Sequence, residues 1–188
     1  MLNRRSGQTG FTLIELMISI ALVGVLLTIG IPALRNWILN TQIKTAAESI
    51  NNGLQLSRAE AVRRNTNVQF TLGVDSGWSV GCVVALGDND GDGVDDCPAI
   101  IQSRAAGETA SAVLSVTPAG ATMITFNGLG RVSTNIDASD PISQIEIDIP
   151  EAVMEPAESR ELRVMISGGS VKMCDPSATH PGDPRICP

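Results

Sequence analysis

The sequence is poor in the residues that carry most enzymatic chemistry. Its single histidine, His180, sits in a Pro/Gly-rich tail. It has no G-x-S-x-G nucleophile elbow, no P-loop, and no paired carboxylates that sequence can place on opposed elements. Catalysis has no foothold, so an enzyme is not expected. Methionines such as Met123 and Met165 read as core filler rather than ligands. Basic charge is also scarce: 13 Lys and Arg stand against 20 Asp and Glu, a formal net charge of −7. Losing Arg4 and Arg5 would take it to −9. Phosphate attraction needs clustered Lys and Arg, so a chain this acidic is a poor generic binder of nucleic acid or of anionic membrane surfaces.

The sharpest absence is that of charge between Leu16 and Leu34. These 19 residues make a helix of roughly 29 Å, close to the hydrocarbon thickness of a bilayer. The polar decapeptide before them, MLNRRSGQTG, is too short and hydrophilic to span anything. Its Arg4 and Arg5 predict that this end stays in the cytoplasm and that everything beyond about residue 35 lies on the far face. A secretory signal would carry a small-residue cleavage site after the apolar run, and no clear one stands there, so the run is expected to stay in the mature protein. Glu15 breaks the pattern. A carboxylate near the start of a spanning helix costs about 2 to 3 kcal/mol unless something pairs with it, which makes it a functional candidate. The simpler alternative is an interfacial acid that favours the helix N-terminus through the dipole.

Four cysteines, Cys82, Cys97, Cys174 and Cys187, lie on the far side, where an oxidising compartment allows disulfides. They permit three pairings. The local one, Cys82 with Cys97 and Cys174 with Cys187, closes two rings of similar size, each contributing around 3 kcal/mol in the chain-entropy model. A zinc site competes, against the absence of C-x2-4-C spacing and of a second histidine.

One span subtracted from 188 residues leaves about 150, enough for a single globular domain. The helix is expected to continue past the membrane, with Pro32 kinking it. Beyond the apolar run Ile43, Ala47, Ile50, Leu54 and Ala61 form a 3.6-period face that needs a sheet to cover it. Arg63 and Arg64 suit a C-terminus, with Asn65-Thr66-Asn67 as the exit turn. Strand character follows at 68–74, 78–86, 112–116, 122–126, 142–149, 161–167 and 170–173, with sequential antiparallel pairing and a Gly168-Gly169 hairpin turn between the last two. The expected fold class is α+β: a long N-terminal helix, half membrane-spanning and half amphipathic, packed on a mainly antiparallel sheet or sandwich. Its segments are a leader (1–10), a transmembrane helix (11–34), an amphipathic continuation (35–66) and a β-rich domain (67–188).

Gly10 followed by Phe11-Thr12-Leu13-Ile14-Glu15-Leu16, between a basic leader and an apolar helix, closely resembles the class III signal of type IV prepilins and type II secretion pseudopilins. The resemblance implies cleavage by a prepilin peptidase between Gly10 and Phe11 and methylation of the new Phe11 amine. It also implies pairing of Glu15 with the N-terminal amine of a neighbouring subunit, which would satisfy the buried charge. Localisation would be single-pass in the inner membrane with a periplasmic C-terminal domain, then in the fibre.

Gly77-Trp78 leading into Asp88-Asn89-Asp90-Gly91-Asp92-Gly93 resembles the GspH/FimT/FimU-like minor subunits. Cys174-Asp175-Pro176 and Gly182-Asp183-Pro184-Arg185-Ile186-Cys187 resemble the ends of FimU/FimT-type minor pilins. The expected function is therefore a minor pilin in the priming or tip complex of a type IV pilus, with other minor pilins and the major pilin as partners. One alternative is a GspH-type pseudopilin of a type II secretion system. Another is a FimT-like subunit capturing DNA, for which Arg131, Lys172 and Arg185 are the candidate contacts. The DNA-binding subfamily's Gly-Arg-x-Arg element is not matched, because Gly130-Arg131-Val132-Ser133 lacks the second arginine. Asp88, Asp90 and Asp92, followed by Gly93, match the opening of a calcium loop. The twelfth position is Ala99 rather than a bidentate Glu, although Asp95 and Asp96 offer oxygens. A solvated acidic turn is the alternative, and calcium is the one cofactor considered.

Overall fold

A computed structural model of the chain describes residues 11–88, 91, 95–107, 109 and 111–187. The chain divides into two compact units, Met1–Trp37 and Ile38–Pro188. One helix, α1 (Leu13–Arg64), contributes to both and has Pro32 inside it.

Both ends of α1 follow from local chemistry. Thr12 precedes the first turn, where its Oγ1 accepts the Glu15 N–H at 3.3 Å and its carbonyl accepts the Leu16 N–H at 3.1 Å. A threonine side chain satisfies a backbone donor that the helix itself cannot. At the far end Asn65 takes φ 49°. The Asn65 N–H then reaches the Val62 carbonyl and the Thr66 N–H reaches the Ala61 carbonyl, the paired closure of a Schellman cap, for which asparagine is a tolerated substitute for glycine. The Asn65-Thr66-Asn67 exit is thus where the sequence places it.

Nine strands follow among the described residues. The first sheet has the order β3-β2-β1-β5-β6, from β1 (Val68–Leu72), β2 (Trp78–Cys82), β3 (Gln102–Arg104), β5 (Met123–Phe126) and β6 (Val132–Ser133). The second has the order β4-β7-β8-β9, from β4 (Val113–Thr117), β7 (Gln144–Asp148), β8 (Leu162–Ser167) and β9 (Ser170–Cys174). All pairs of these strands are antiparallel. The expected α+β class is observed.

The structure differs from expectation in pairing, in two added strands and in strand ends. Pairing is not purely sequential: β1 pairs with β5 as well as β2, and β4 pairs with β7. Strand β1 buries alternate residues along its whole length and has a neighbour on each side, so the chain leaves the first sheet after β3 and returns at β5. Strands β3 and β6 were not anticipated, being three and two residues long with no apolar alternation to mark them. The expected strands 68–74 and 78–86 stop at Leu72 and Cys82, where a turn and the first disulfide ring take over. The Gly168-Gly169 turn forms as expected, with φ of 61° and 113°, a left-handed pair that glycine adopts without steric cost.

The core of the second unit is one cluster. Ile43, Ala47, Ile50, Leu54 and Ala61, the periodic face of α1, are fully buried. They join Val68 and Phe70 of β1, Val80 of β2, Ile124 and Phe126 of β5, Ile145 and Ile147 of β7, and Val164 of β8. Fully burying each of the larger aliphatic or aromatic side chains is worth about 1.5–3 kcal/mol relative to exposure.

Gly53 is the tight point of the seam between α1 and the first sheet. A Cβ there would stand 2.8 Å from Phe70 Cε2 and 2.9 Å from Trp78 Cδ2. The two rings pack with centroids 5.9 Å apart, and Trp78 Nε1 donates to Ser49 Oγ at 2.8 Å, one turn away on α1. Elsewhere on the helix, Asn40 is clamped by the loop before β8: its Oδ1 accepts the Arg160 N–H at 2.8 Å and its Nδ2 donates to the Glu158 carbonyl at 2.9 Å.

Gly53→Ala is therefore expected to destabilise the second unit. Helix propensity gains about 1 kcal/mol, but overpacking against two rings costs about 1–3 kcal/mol. Thermal unfolding of the detergent-solubilised chain, followed by circular dichroism, checks this. A raised midpoint would show that the rings yield freely.

Candidate functional site

In the first unit the described apolar side chains of α1 are exposed all round the helix. Phe11 is 85% exposed, and Leu13, Ile14, Leu16, Met17, Ile18, Ile20, Leu22, Val23, Val25, Leu26, Leu27, Ile31 and Leu34 are exposed as well. By length and composition this helix can cross a membrane. Its small polar side chains turn back on the helix itself: Ser19 Oγ donates to the Glu15 carbonyl at 2.7 Å and Thr28 Oγ1 to the Val25 carbonyl at 2.7 Å. That satisfies hydroxyls that an apolar solvent would leave bare.

Glu15 has no such recourse. Its carboxylate is exposed and forms no ion pair among the described residues. The negative charge sits in the first turn of α1, where the helix dipole favours it. Thr12, which caps the helix beside Glu15, is a neighbour that the sequence reading missed. The spacing Thr12-x-x-Glu15 is half of a capping box and marks the helix start directly. Gly10, the residue before the expected cleavage point, lies outside the described residues.

In the second unit the cysteines form two local disulfides, Cys82–Cys97 with Cα atoms 5.7 Å apart and Cys174–Cys187 with Cα atoms 5.0 Å apart. The first ring is closed also by paired backbone bonds between Leu86 and Cys97 and is tied to the helix end by Arg64, whose guanidinium donates to the Asp96 carbonyl. Arg64 and Arg63 share the carboxylate of Glu60, at 2.8 and 2.7 Å. The hydrogen bond from Arg63 is the largest influence holding the Glu60 carboxyl below its ordinary range; that from Arg64 adds to it and partial burial opposes both.

Of the calcium candidates, Asp88 turns its Oδ1 to the Gly91 N–H at 2.6 Å, the local bond of a solvated turn. Asp90 and Asp92 lie outside the described residues, as does Gly93. Among the described residues no three acidic, histidine or cysteine side chains converge as metal ligands do.

The basic candidates separate. Lys172 and Arg185 come together at the C-terminal ring but are already committed. Lys172 Nζ donates to the Ile186 carbonyl at 3.0 Å. Arg185 pairs with Asp183 at 2.7 Å and lies 4.0 Å from Asp175. Arg131 sits on the turn between β5 and β6, which is held by bonds from the Leu129 and Arg131 N–H groups to Asn127 Oδ1 and by Arg58 Nε donating to the Gly130 carbonyl at 3.2 Å. Beside this turn an open surface hollow of about 430 Å³ is lined by Asn65, Thr66, Asn67, Val83, Val84, Asn127, Gly128 and Leu129.

Comparison with known proteins gives the following similarities. Residues 46–170 match the family described as type II transport protein GspH. Residues 5–31 match the prokaryotic N-terminal methylation motif. The type IV major fimbrial protein FimA of Dichelobacter nodosus is 43% identical over 56 residues, covering 30% of this chain and 34% of that protein. A fimbrial protein of Moraxella nonliquefaciens is 44% identical over 52 residues, 28% of this chain and 33% of that protein. The chain thus spans about a third of the length of these curated relatives. Among solved structures, the type IV minor pilin FimU of Pseudomonas aeruginosa (strain PAO1) is 18% identical, with a TM-score of 0.48 covering 73% of this chain and 95% of that one.

The Glu60 cluster generates a pH prediction. A carboxylate whose folded pKa is lowered adds stability that is present above the ordinary glutamate value of about 4.3 and is lost as pH falls through the lower folded value. Glu60→Gln should therefore flatten part of the stability loss below that pH while lowering stability at neutral pH. Denaturant midpoints measured across pH 3 to 7, estimated as the span of carboxylate titration, check it; parallel curves for the two proteins would remove Glu60 from the linkage.

Proposed function

The chain belongs to the GspH family of type IV pilin-like proteins and carries the prokaryotic N-terminal methylation motif, and from that premise we propose that it is a minor pilin of the priming or tip complex of a type IV pilus. Proteins of this family are structural subunits. The single observation that carries the reading is Glu15, a carboxylate without an ion pair among the described residues, in the first turn of a helix whose next charged residue is Arg35.

In this reading a prepilin peptidase cuts between Gly10 and Phe11, the Phe11 amine is methylated, and the apolar helix stores the subunit in the inner membrane with the β-rich domain in the periplasm. When the subunit moves into the fibre, Glu15 loses what solvation the membrane surface gave it. The amine at Phe11 of a neighbouring subunit then supplies the missing cation. A buried charge is tolerable only when paired, and a pair broken by removing one partner costs several kcal/mol. The Glu15 charge thus selects for arrangements that bring the two termini together, while the apolar surface around it supplies contact without direction.

The second unit presents its surfaces to neighbouring subunits, and its two disulfide rings close the loops at 82–97 and 174–187. The other partners are the major pilin and further minor pilins. DNA capture is not favoured, because Lys172 and Arg185 already serve the C-terminal ring. Calcium has only Asp88 in support among the described residues.

A second reading, as a pseudopilin of a type II secretion system, is favoured by the description of the matching family. The two differ in what fails when the gene is deleted. The minor-pilin reading predicts loss of surface pili with secretion intact. Loss of secreted exoproteins with normal piliation would transfer the chain to the secretion fibre.

Glu15→Ala should leave membrane insertion and removal of the leader unchanged while lowering the amount recovered in sheared fibres by about tenfold or more, the scale set by leaving a buried charge without its partner. Immunoblots of membrane and sheared fractions measure both quantities. Wild-type incorporation of the Glu15→Ala subunit would end the pairing role.

A further inference from the structure

The two sheets have four outer strands, and three of them are blunted in ways that natural proteins use to prevent strand addition. In the first sheet β3 and β6 are only three and two residues long. In the second sheet β9 carries Lys172, and the C-terminal ring lies along its end. There Asp175 and Ile186 form a parallel bridge, the Asp175 N–H donates to the Arg185 carbonyl at 2.8 Å, Lys172 Nζ holds the Ile186 carbonyl, and Cys174–Cys187 closes the ring.

Strand β4 has none of these protections. Its five residues, Val-Leu-Ser-Val-Thr, carry no charge, and its pairing with β7 runs from Val113↔Asp148 to Thr117↔Gln144 without a bulge. Among the described residues no strand lies on its outer side. In an antiparallel ladder alternate residues turn their N–H and C=O groups away from the paired neighbour, so the outer side of β4 offers a row of backbone donors and acceptors.

The side chains point the same way. Leu114 and Val116 face the core yet remain only half-buried, whereas their β7 partners Ile147 and Ile145 are fully buried. On the other face Val113 is 52% exposed. A further strand beside β4 would cover Leu114 and Val116 if it carried aliphatic residues at alternate positions on the core-facing side. It would need to be uncharged at its centre, because β4 has no charge to answer one.

The sequence of β4 meets that requirement itself. Turned antiparallel about Ser115, it places Val113 opposite Thr117, Leu114 opposite Val116, and Ser115 opposite its own copy. Apolar residues meet apolar residues on the core-facing side, and on the exposed side the Ser115 hydroxyls meet each other while Val113 meets Thr117. From the open edge, the half-buried pair and this self-complementarity, we infer that β4 is a pairing edge for a second copy of the chain, joining the two four-stranded sheets into one.

A five-residue edge buries far less than the roughly 1,200 Å² of a standard interface, so the pairing is weak and dependent on local concentration. Strand addition draws its affinity from main-chain hydrogen bonds and its register from alternate side chains, and register is what the test reads.

Val113→Cys and Thr117→Cys variants of the full chain are purified in detergent with the four native cysteines in their disulfides, and circular dichroism verifies that both retain the native spectrum. A short bismaleimide is then added to each variant alone and to their mixture. In the proposed register Val113 of one copy lies about 5 Å from Thr117 of the other, while like positions lie about 14 Å apart. The mixture should therefore yield roughly tenfold more cross-linked dimer than either variant alone. Ser115→Lys, which sets two like charges opposite each other, should abolish the excess in a background that still folds. Equal cross-linking in all three samples would reflect chance sharing of micelles and would overturn the inference, as would no cross-linking at all. Cross-linking in membranes to a different subunit and not to a second copy would also overturn it, by giving the edge to an unlike neighbour.

Discussion

The second unit depends on one seam, where the first sheet lies against α1 at Ser49 and Gly53. Trp78 is large enough to close that seam but carries a polar N–H, and Ser49 provides its acceptor inside the core. Phe70 and Trp78 then need the space that only a residue without a Cβ leaves, and Gly53 supplies it. A glycine in the middle of a helix costs about 1 kcal/mol of propensity, and burial of two aromatic rings offsets that cost. Within the first sheet β5 and β3 are added directly to the two strands that carry the rings, β1 and β2.

The connections are held by several devices of different strength. The exit of α1 is fixed by its Schellman closure at Asn65 and by Arg64 reaching the Asp96 carbonyl, so that the first disulfide ring is fastened to the helix end. The second ring fastens the tail along β9. The Glu60 carboxylate, shared by Arg63 and Arg64, holds the two guanidiniums in place. These are local constraints on loops, worth far less than the core in total.

The first unit follows different physics. The exposed apolar residues of its helix encircle it, which suits hydrocarbon as solvent. In such a medium the hydroxyls of Ser19 and Thr28 find carbonyls within the helix, whereas the Glu15 carboxylate forms no ion pair among the described residues. Family membership in the GspH group, together with the methylation motif, gives that residue its context.

By itself the sequence determined what depends on near neighbours in the chain. The spanning run and its acid, the periodic face from Ile43 to Ala61, the exit at Asn65, the alternating segments and the Gly168-Gly169 turn all rest on interactions within a few residues, and each leaves a mark in composition or period. The Thr12 cap was equally local and open to the same reading. Tertiary structure alone decided the rest: β1 taking β5 as its second neighbour, the short strands β3 and β6, the seat of Trp78 on Ser49 and Gly53, the commitment of Lys172 and Arg185 to the tail, and the open side of β4. These depend on which distant segments meet, and a pairing edge is legible only when the strands that fail to cover it are known.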